Sequence, residues 1–406
     1  MPAQIQSIEE ALAIGNAPAP TDRTGIFRHA DCPFLFGDDV IDGTQGVFNI
    51  ASNASIILRA PAPLRCDSSP AIAVGGGPSV TEHLPLLREL QHKCLIVASQ
   101  TSAQGLMDAG VMPHLITPME RNGVMRKYTP KDSSKIVFAG APLVHNDVMK
   151  QFKKHIYLSS ADGLYNWCNS SVDRPIFFGS STGTTAVNVA ASMTSQKVYL
   201  VGHDLSYDNQ SSHWAGSQAP RMDSYKQGHL IEGNNGELLP TDFLWLRLRD
   251  QISDTCLLHP GIVNVNAFHG VGAQIPGTLS ESLPNPSDLP DFTFKMGEPH
   301  EARLKEWRQH ARLLPFHARK LDKFFQSAKD VTPQSTDIML AGVGKNAHVF
   351  AYMMVSILTQ LSYECRLGEI SETQCLAWLK KSTHNFLTEY KEIFEQIAEF
   401  ANASRD

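Results

Sequence analysis

The chain has 406 residues, of which 42% are hydrophobic, and its formal net charge is −6 at pH 7. This length is enough for two or three hydrophobic cores. The charge provides no overall positive field that would favour nucleic acid or an acidic membrane surface, so we expect no nucleic-acid partner and any anion site must be local.

The cysteines and the N-terminal sequence predict a cytoplasmic protein. Seven cysteines are scattered with no C-x-x-C spacing, which is typical of reduced thiols. The first twenty residues lack the basic and then apolar pattern of a signal peptide, and about 18 consecutive apolar residues occur nowhere. We therefore expect neither a secretory leader nor a transmembrane segment.

Residues 1–69 are predicted to form a small N-terminal α/β accessory region. This part mixes turn-forming residues with strand-like apolar pieces at 46–50 and 55–59. A proline-rich stretch at 60–63 indicates a linker to the next domain.

Residues 70–280 are predicted to form a Rossmann-like domain built on a doubly wound, mostly parallel sheet. Short, almost wholly apolar runs alternate there with helical patterns, which is typical of strands covered by helices on both faces. The predicted strands are 71–74, 94–98, 114–117, 135–139, 155–158, 175–178, 197–201 and 262–265. This alternation predicts the α/β fold class.

Residues 290–406 are predicted to form a C-terminal helical bundle. Strand-like runs vanish after Pro290, and apolar residues then recur every three or four positions. The segments with this helical period are 301–325, 337–360 and 372–400. The segment 281–292, rich in Pro, Ser and Asp, is the expected linker.

A glycine-rich turn follows the first predicted strand and is a candidate anion site. It consists of Gly75, Gly76, Gly77, Pro78 and Ser79. Because glycine has no Cβ, backbone N–H groups in such a turn can approach a nucleotide closely, although the same glycines would also suit a tight turn without a ligand. Ser79 and Glu82 have capping-box spacing, so Ser79 could cap the next helix, contact a ligand, or do both.

A second candidate anion site lies where another predicted strand meets a helix. Its residues are Gly179, Ser180, Ser181, Thr182, Gly183 and Thr184, followed by Thr185. Hydroxyl and backbone donors at a helix N-terminus favour a phosphate or carboxylate. The alternative is that these hydroxyls are only N-caps, but one cap needs one hydroxyl and five are present.

A third group of polar residues follows the strand predicted at 197–201. Gly202, His203 and Asp204 stand at its end, and His213 comes soon after. A histidine and a carboxylate placed there could transfer a proton or bind a sugar, while a lone aspartate could equally order the loop. The histidines lack paired ligand spacing, so we expect no zinc site.

Five segments occur in the order seen in the motility accessory factor (Maf) family, which they resemble. They are 74–80 (VGGGPSV), 110–120 (GVMPHLITPME), 179–186 (GSSTGTTA), 201–207 (VGHDLSY) and 272–278 (GAQIPGT). Maf proteins resemble flagellin glycosyltransferases, and their central domain is similar to archaeal hydroxymethylpterin diphosphokinase-like (MptE-like) proteins and to bacterial sialyltransferases. The resemblance covers about half of the chain.

The resemblance implies transfer of a nonulosonic, sialic-acid-like sugar from a CMP-activated donor to Ser or Thr hydroxyls of flagellin. It implies that both candidate anion sites donate hydrogen bonds to the leaving phosphate. Because a single leaving phosphate needs no metal to chelate a diphosphate, we expect activity without a bound cation. His213 is the first candidate for the general base, and Asp204 would hold the ribose or orient the base. Glu120 matches the acidic end of its motif, whereas His114 and His203 depart from the family's usual acidic residue and glutamine.

Two other functions stay open. An ATP-dependent diphosphokinase acting on a pterin alcohol would use Glu120 and Asp204 to hold Mg²⁺. A flagellin-binding protein without catalysis would dock through the C-terminal helices. The segment 342–346 (GVGKN) resembles a phosphate loop, but it has Asn where Ser or Thr is required and therefore predicts a helix break.

Overall fold

A computed structural model of the chain describes residues 40–160, 163–169, 176, 178–207, 211–219, 229–327, 339, 341–353 and 372–403. The chain divides into two compact units. The sheet unit comprises Ile56–Ser160 and Asp173–His300, and the helical unit comprises Met1–Ser55, Ala161–Val172 and Glu301–Asp406.

The strands of the sheet unit form one parallel sheet and a separate antiparallel pair. In chain order they are β1 Ala71–Val74, β2 Leu95–Ser99, β3 Leu115–Thr117, β4 Val137–Phe138, β5 Lys154–His155, β6 Val198–Val201, β7 His229–Glu232, β8 Leu238–Thr241 and β9 Ile262–Asn264. The parallel sheet has the order β5-β4-β3-β2-β1-β6-β9, and β7 pairs with β8. The predicted α/β class is confirmed.

The helices in chain order are α1 Val40–Ile57, α2 Val80–Leu90, α3 Gln100–Asp108, α4 Asn146–Met149, α5 Thr182–Met193, α6 Phe243–Leu258, α7 Val265–His269, α8 Glu301–Ala311, α9 Leu314–Ser327, α10 Asn346–Met353, α11 Glu372–Glu389 and α12 Lys391–Ala403. Short 3-10 turns occupy Gly123–Tyr128, Gly163–Trp167 and Pro286–Asp288. Helix α5 packs on β1 and β2, whose side chains are buried throughout, as expected for a sheet covered on both faces.

The strand order places a topological switch point between β1 and β6. From β1 the chain moves outward through β2, β3, β4 and β5, and then returns to the other side of β1 to form β6 and β9. The connections therefore diverge at the carboxyl ends of β1 and β6. In open α/β sheets such a divergence leaves a crevice outside the strand ends, and ligands bind in it. The glycine-rich turn follows β1, and Gly202–Asp204 follows β6, so both candidate segments reach this crevice.

The strands predicted at 46–50 and 55–59 were wrong. Residues 46–50 and 55–57 belong to helix α1, and residues 58 and 59 follow it in a turn. The buried apolar residues of this segment recur at helical spacing; they are Val47, Ile50, Ala51, Ala54, Ile57 and Leu58. Short apolar runs within this stretch resemble strands, but only the longer 3.6-residue period buries all six side chains on one face.

The strand predicted at 175–178 is not observed among the described residues of that segment. Ile176 and Phe178 have no strand conformation, and residues 175 and 177 lie outside the described residues. The other seven predicted strands overlap β1 to β6 and β9.

The helical unit confirms the predicted helical C-terminal region for the residues described there. Helix α9 packs against α11 and α12, and the segment 342–345 forms a turn before α10, as the helix-break interpretation predicted. Much of the predicted helix 337–360 lies outside the described residues. Within the described ranges, no helix is both long and apolar enough to cross a membrane.

Asn346 is the centre of a buried hydrogen-bond network in the helical unit. Its side chain has no exposed surface. Its Oδ1 accepts a hydrogen bond from Trp167 Nε1, and its Nδ2 donates to the His310 carbonyl and lies 2.9 Å from His317 Nδ1. Because a buried donor or acceptor that loses its partner is costly, this network stabilises the unit strongly.

We expect Asn346→Leu to lower the free energy of unfolding by about 2–4 kcal/mol, because it leaves the Trp167 N–H and the His310 carbonyl without this partner. Urea unfolding followed by tryptophan fluorescence measures the change. The control is His384→Ala, which removes a partly exposed contact of 3.0 Å between His384 Nδ1 and Asp322 Oδ1 and should cost less than about 1 kcal/mol. Equal effects of the two substitutions would contradict the prediction.

Candidate functional site

Most backbone N–H groups of the glycine-rich turn are already used inside the protein. Gly75 N donates to Val201 O and Gly77 N donates to Gly202 O, both at 2.8 Å. Ser79 N donates to the Asp204 carboxylate at 3.1 Å. Among the described residues, only the N–H of Gly76 has no partner in this turn. The turn therefore offers one backbone donor to a ligand rather than several.

The glycines allow the turn to lie against the loop that follows β6. A Cβ built at Gly75 would be 2.4 Å from Gly202 O, and one at Gly77 would be 1.9 Å from Asp204 Oδ2. Both distances are too short for any side chain. Close packing therefore explains Gly75 and Gly77, whereas a Cβ at Gly76 would meet the ring of His213.

We expect Gly77→Ala to destabilise the protein by about 2–4 kcal/mol, because the new methyl group overlaps the Asp204 carboxylate and the turn must move away. Chemical denaturation measures this change. The matched control is Gly261→Ala, where a Cβ would stand 3.7 Å from its nearest neighbours and should change stability by less than about 1 kcal/mol. Equal stability of the two variants would contradict the packing argument.

Ser79 does not cap helix α2 through its side chain. It stands at the N-cap position, but no side-chain cap hydrogen bond forms. Its hydroxyl is buried and has no partner among the described residues. The capping interpretation of Ser79 and Glu82 is therefore not supported.

The second candidate anion site does form a capped helix N-terminus. Ser181 and Thr184 make a reciprocal capping box at the start of α5. Ser180 makes two hydrogen bonds with Gln251: its N donates to Gln251 Oε1 at 2.9 Å, and its Oγ accepts from Gln251 Nε2 at 2.6 Å. Thr185 bonds back to Ser181 O at 2.9 Å. Most of the five hydroxyls thus build the helix end rather than face a ligand.

Two backbone donors remain open at this helix end. The N–H groups of Thr182 and Gly183 have no partner among the described residues, while the Thr182 carbonyl accepts from Thr117 Oγ1 at 2.7 Å. The first turn of α5 contains no acidic side chain. Gly179, with φ of +78°, brings the chain into this helix in a conformation that favours glycine. An anion placed here would meet unpaired N–H groups and the positive end of the helix dipole.

His203 lies buried between the two anion segments. Its Cε1 would be 3.3 Å from a Cβ at Gly75 and 3.6 Å from one at Gly183. Burial lowers the pKa of His203 to about 4, although a hydrogen bond to the Ala73 backbone opposes this shift. The ring is therefore neutral at pH 7, and its buried Nε2 has no partner among the described residues.

Asp204 orders the loops around the crevice. Its side chain is 6% exposed. One carboxylate oxygen accepts from Ser79 N and the other accepts from the Asn266 side-chain amide. Its backbone carbonyl accepts from Ala273 N at 2.7 Å. Asp204 thus joins the glycine-rich turn to the segments that follow β9.

His213 lies beside the glycine-rich turn. Its Cδ2 and Nε2 would stand 2.8 and 3.5 Å from a Cβ at Gly76. Its Nδ1 is 2.9 Å from Ser212 Oγ. The tautomer that donates from Nδ1 to Ser212 presents Nε2 as an acceptor on the side of Gly76. The ring is therefore placed next to the one open N–H of the turn.

Glu120 is apart from this group. It is exposed and follows β3, which is three strands away from β6 in the sheet. At about 4.8 Å per strand this separates the two strand ends by about 14 Å. The structure therefore brings Gly76, His203, Asp204 and His213 together at the switch point, but it does not bring Glu120 to Asp204.

Sequence reasoning missed the residues that hold the turn in place. Ser102 Oγ donates to Gly75 O at 2.7 Å, and Trp214 N donates to Gly76 O at 3.1 Å. Trp214 Nε1 in turn donates to Ser102 Oγ at 3.3 Å. Asn266 was missed as well. These partners are far apart in sequence, and no local motif marks them.

In the described part of the chain, no group of three or more His, Cys, Asp or Glu side chains is placed to hold a metal ion.

The architecture defines a Rossmann-like α/β protein, and the switch point of its sheet is its candidate ligand site. Residues 48–210 match the family model described as 6-hydroxymethylpterin diphosphokinase MptE-like. This match supports the resemblance to MptE-like proteins that the order of the motifs indicates.

A solved structure resembles nearly the whole chain. It is described as a Maf glycosyltransferase from Magnetospirillum magneticum AMB-1, with a TM-score of 0.58 and 14% sequence identity. The likeness covers 94% of this chain but 63% of that protein, so the chain spans about three fifths of its length. At this identity the similarity is one of fold. No functionally curated protein matches the chain in sequence.

Proposed function

We propose that this protein is a glycosyltransferase of the Maf type. It would transfer a nonulosonic acid, such as a pseudaminic or legionaminic acid, from a CMP-activated donor to Ser or Thr hydroxyls of flagellin. Three findings support this proposal: the MptE-like domain, the fold shared with a Maf glycosyltransferase, and a crevice with open donors. We further propose that residues 70–280 bind the donor and that the protein acts in the cytoplasm.

The observation that carries the proposal is the open N-terminus of α5 at the switch point. The N–H groups of Thr182 and Gly183 point out of a capped helix whose first turn has no acidic residue. Such fixed donors suit a single phosphate on which negative charge grows during reaction.

In the proposed reaction α5 binds the leaving phosphate, and His213 accepts the proton of the acceptor hydroxyl. The bond between the anomeric carbon and the CMP phosphate oxygen breaks, and its electron pair stays on the phosphate. The open N–H groups of α5 stabilise that charge. The acceptor hydroxyl oxygen forms the new bond to the anomeric carbon, and its proton passes to Nε2 of His213. The buried Ser79 hydroxyl and His203 Nε2, both without partners among the described residues, would contact polar groups of the donor.

Thermal shift with CMP, CMP-sialic acid, ATP and GTP, each with Mg²⁺ or EDTA, tests this proposal. We expect both cytidine ligands to raise Tm with or without Mg²⁺, because binding to the folded state stabilises it. Mass spectrometry of flagellin incubated with the donor then measures transfer. Stabilisation confined to ATP with Mg²⁺ would overturn the proposal.

A second candidate is a pterin diphosphokinase, because the matching family model carries that description. This reaction would place Mg²⁺ between Glu120 and Asp204. The separation of β3 from β6 and the hydrogen bonds on both Asp204 oxygens give this pair no shared cation position. The geometry therefore favours the transferase. A rise in Tm with ATP that EDTA abolishes would favour the kinase instead.

A further inference from the structure

We propose that Asp204 is a positioning residue whose carboxylate is a built-in counter-anion for the glycine-rich turn. In this role Asp204 keeps phosphate out of the turn, and the donor phosphate is left to the N-terminus of α5. Only the identity of the ligand at α5, a CMP-activated donor, rests on the proposed function.

The carboxylate occupies the place where an external anion would bind. Ser79 directly precedes α2, and its N–H donates to Asp204 Oδ2 at 3.1 Å. The carboxylate therefore lies at the positive end of an 11-residue helix, the position at which phosphates bind to helix N-termini. The second oxygen is held by Asn266.

Close packing excludes a second anion from the same place. A Cβ at Gly77 would already be 1.9 Å from Asp204 Oδ2. On the other side, the Cα and carbonyl oxygen of Asp204 would both stand 3.1 Å from a Cβ at Gly272. A phosphate in this turn would have to displace the carboxylate and would also be repelled by its charge.

The other helix that begins at this edge of the sheet is arranged in the opposite way. Helix α5 has no acidic residue in its first turn, and the N–H groups of Thr182 and Gly183 have no partner in the described part of the chain. The positive N-terminus of α2 is thus neutralised by the Asp204 carboxylate, whereas the N-terminus of α5 has no such partner in the described residues.

Asp204→Asn isolates the charge. The Asn266 amide can rotate by a half turn, because its Oδ1 is buried and has no partner among the described residues. It can then accept from the new amide, so both hydrogen bonds of the carboxylate are retained while the charge is lost. The neutral amide is held less tightly at the helix N-terminus than the carboxylate and does not repel an anion, so phosphate can displace it more easily. We expect inorganic phosphate, titrated by thermal shift, to stabilise D204N at a concentration about fivefold or more below that for wild type.

Asp204→Gly tests whether the carboxylate position can be refilled. We expect about 0.2 M formate to raise the Tm of this variant by about 3 °C more than formamide does, because only formate restores the charge. Wild type and Asp254→Gly, which removes an exposed carboxylate of α6, correct for general effects of salt.

The proposal is overturned if phosphate stabilises D204N no better than wild type, or if formate and formamide act equally on D204G. If D204G does not fold, the D204N titration decides alone. Neither measurement uses a sugar donor. Success here without stabilisation by CMP would refute the proposed function and leave the counter-anion role standing.

Discussion

Replacing His213 by alanine is expected to lower kcat for sugar transfer by between about 100-fold and 10,000-fold, the range found when a general base is removed. The ring stands beside Gly76, and its Nδ1 is oriented by Ser212. The affinity for CMP should change by less than about threefold, because the base acts on the acceptor hydroxyl rather than on the phosphate.

Mass spectrometry of modified flagellin measures the rate, and calorimetry measures CMP binding. The control is His92→Ala, which removes an exposed histidine from the segment between α2 and β2, at the opposite edge of the sheet. H92A should transfer at the wild-type rate. Transfer by H213A at that rate as well would remove His213 from the mechanism.

The core of the sheet could be predicted from the sequence because its signal is local. Segments such as Ala71–Val74 are short, wholly apolar and buried on both faces, so composition alone marks them. Helix α1 was misread because two short apolar runs outweighed a helical period that extends over eighteen residues. Here the longer pattern decides, since it alone buries one continuous face.

The β7–β8 hairpin has a clear local signal in the sequence. Asn235-Gly236 stands between two apolar runs, and Gly236 has φ of +83°. Such a dipeptide is the strongest short-range indication of a hairpin. The pairing of Glu232 with Leu238 follows from that turn.

The sequence could predict at which strand ends the candidate motifs lie, but it could not predict which of their N–H groups are open. The glycine-rich turn and Gly202–Asp204 follow β1 and β6, as the apolar runs before them predicted. Which N–H groups stay open depends on contacts such as Ser79 with Asp204, 125 residues apart. Five hydroxyls near α5 similarly indicated an anion site, yet several of them build the cap, and the open donors are backbone groups that have no sequence signature.

Replacing Thr182 by proline is expected to lower kcat/KM for the donor by about 100-fold, the loss typical of one oxyanion donor. Thr182 is the first residue of α5, and Ser181 before it is extended, with φ of −146° and ψ of 160°. Proline is favoured at the first position of a helix, and the residue before a proline prefers an extended backbone, as Ser181 has. The substitution therefore deletes one N–H group and leaves the helix in place.

The matched control is Thr182→Ala, which removes the side-chain hydroxyl and retains the N–H group. Tm of both variants should stay within about 3 °C of wild type, because proline at the first helical position is well tolerated. T182A should keep kcat/KM within about threefold of wild type, while T182P loses activity and stabilisation by CMP together. If T182P folds and retains donor binding and turnover, the phosphate does not depend on this helix end, and the open N-terminus of α5 is not the donor site.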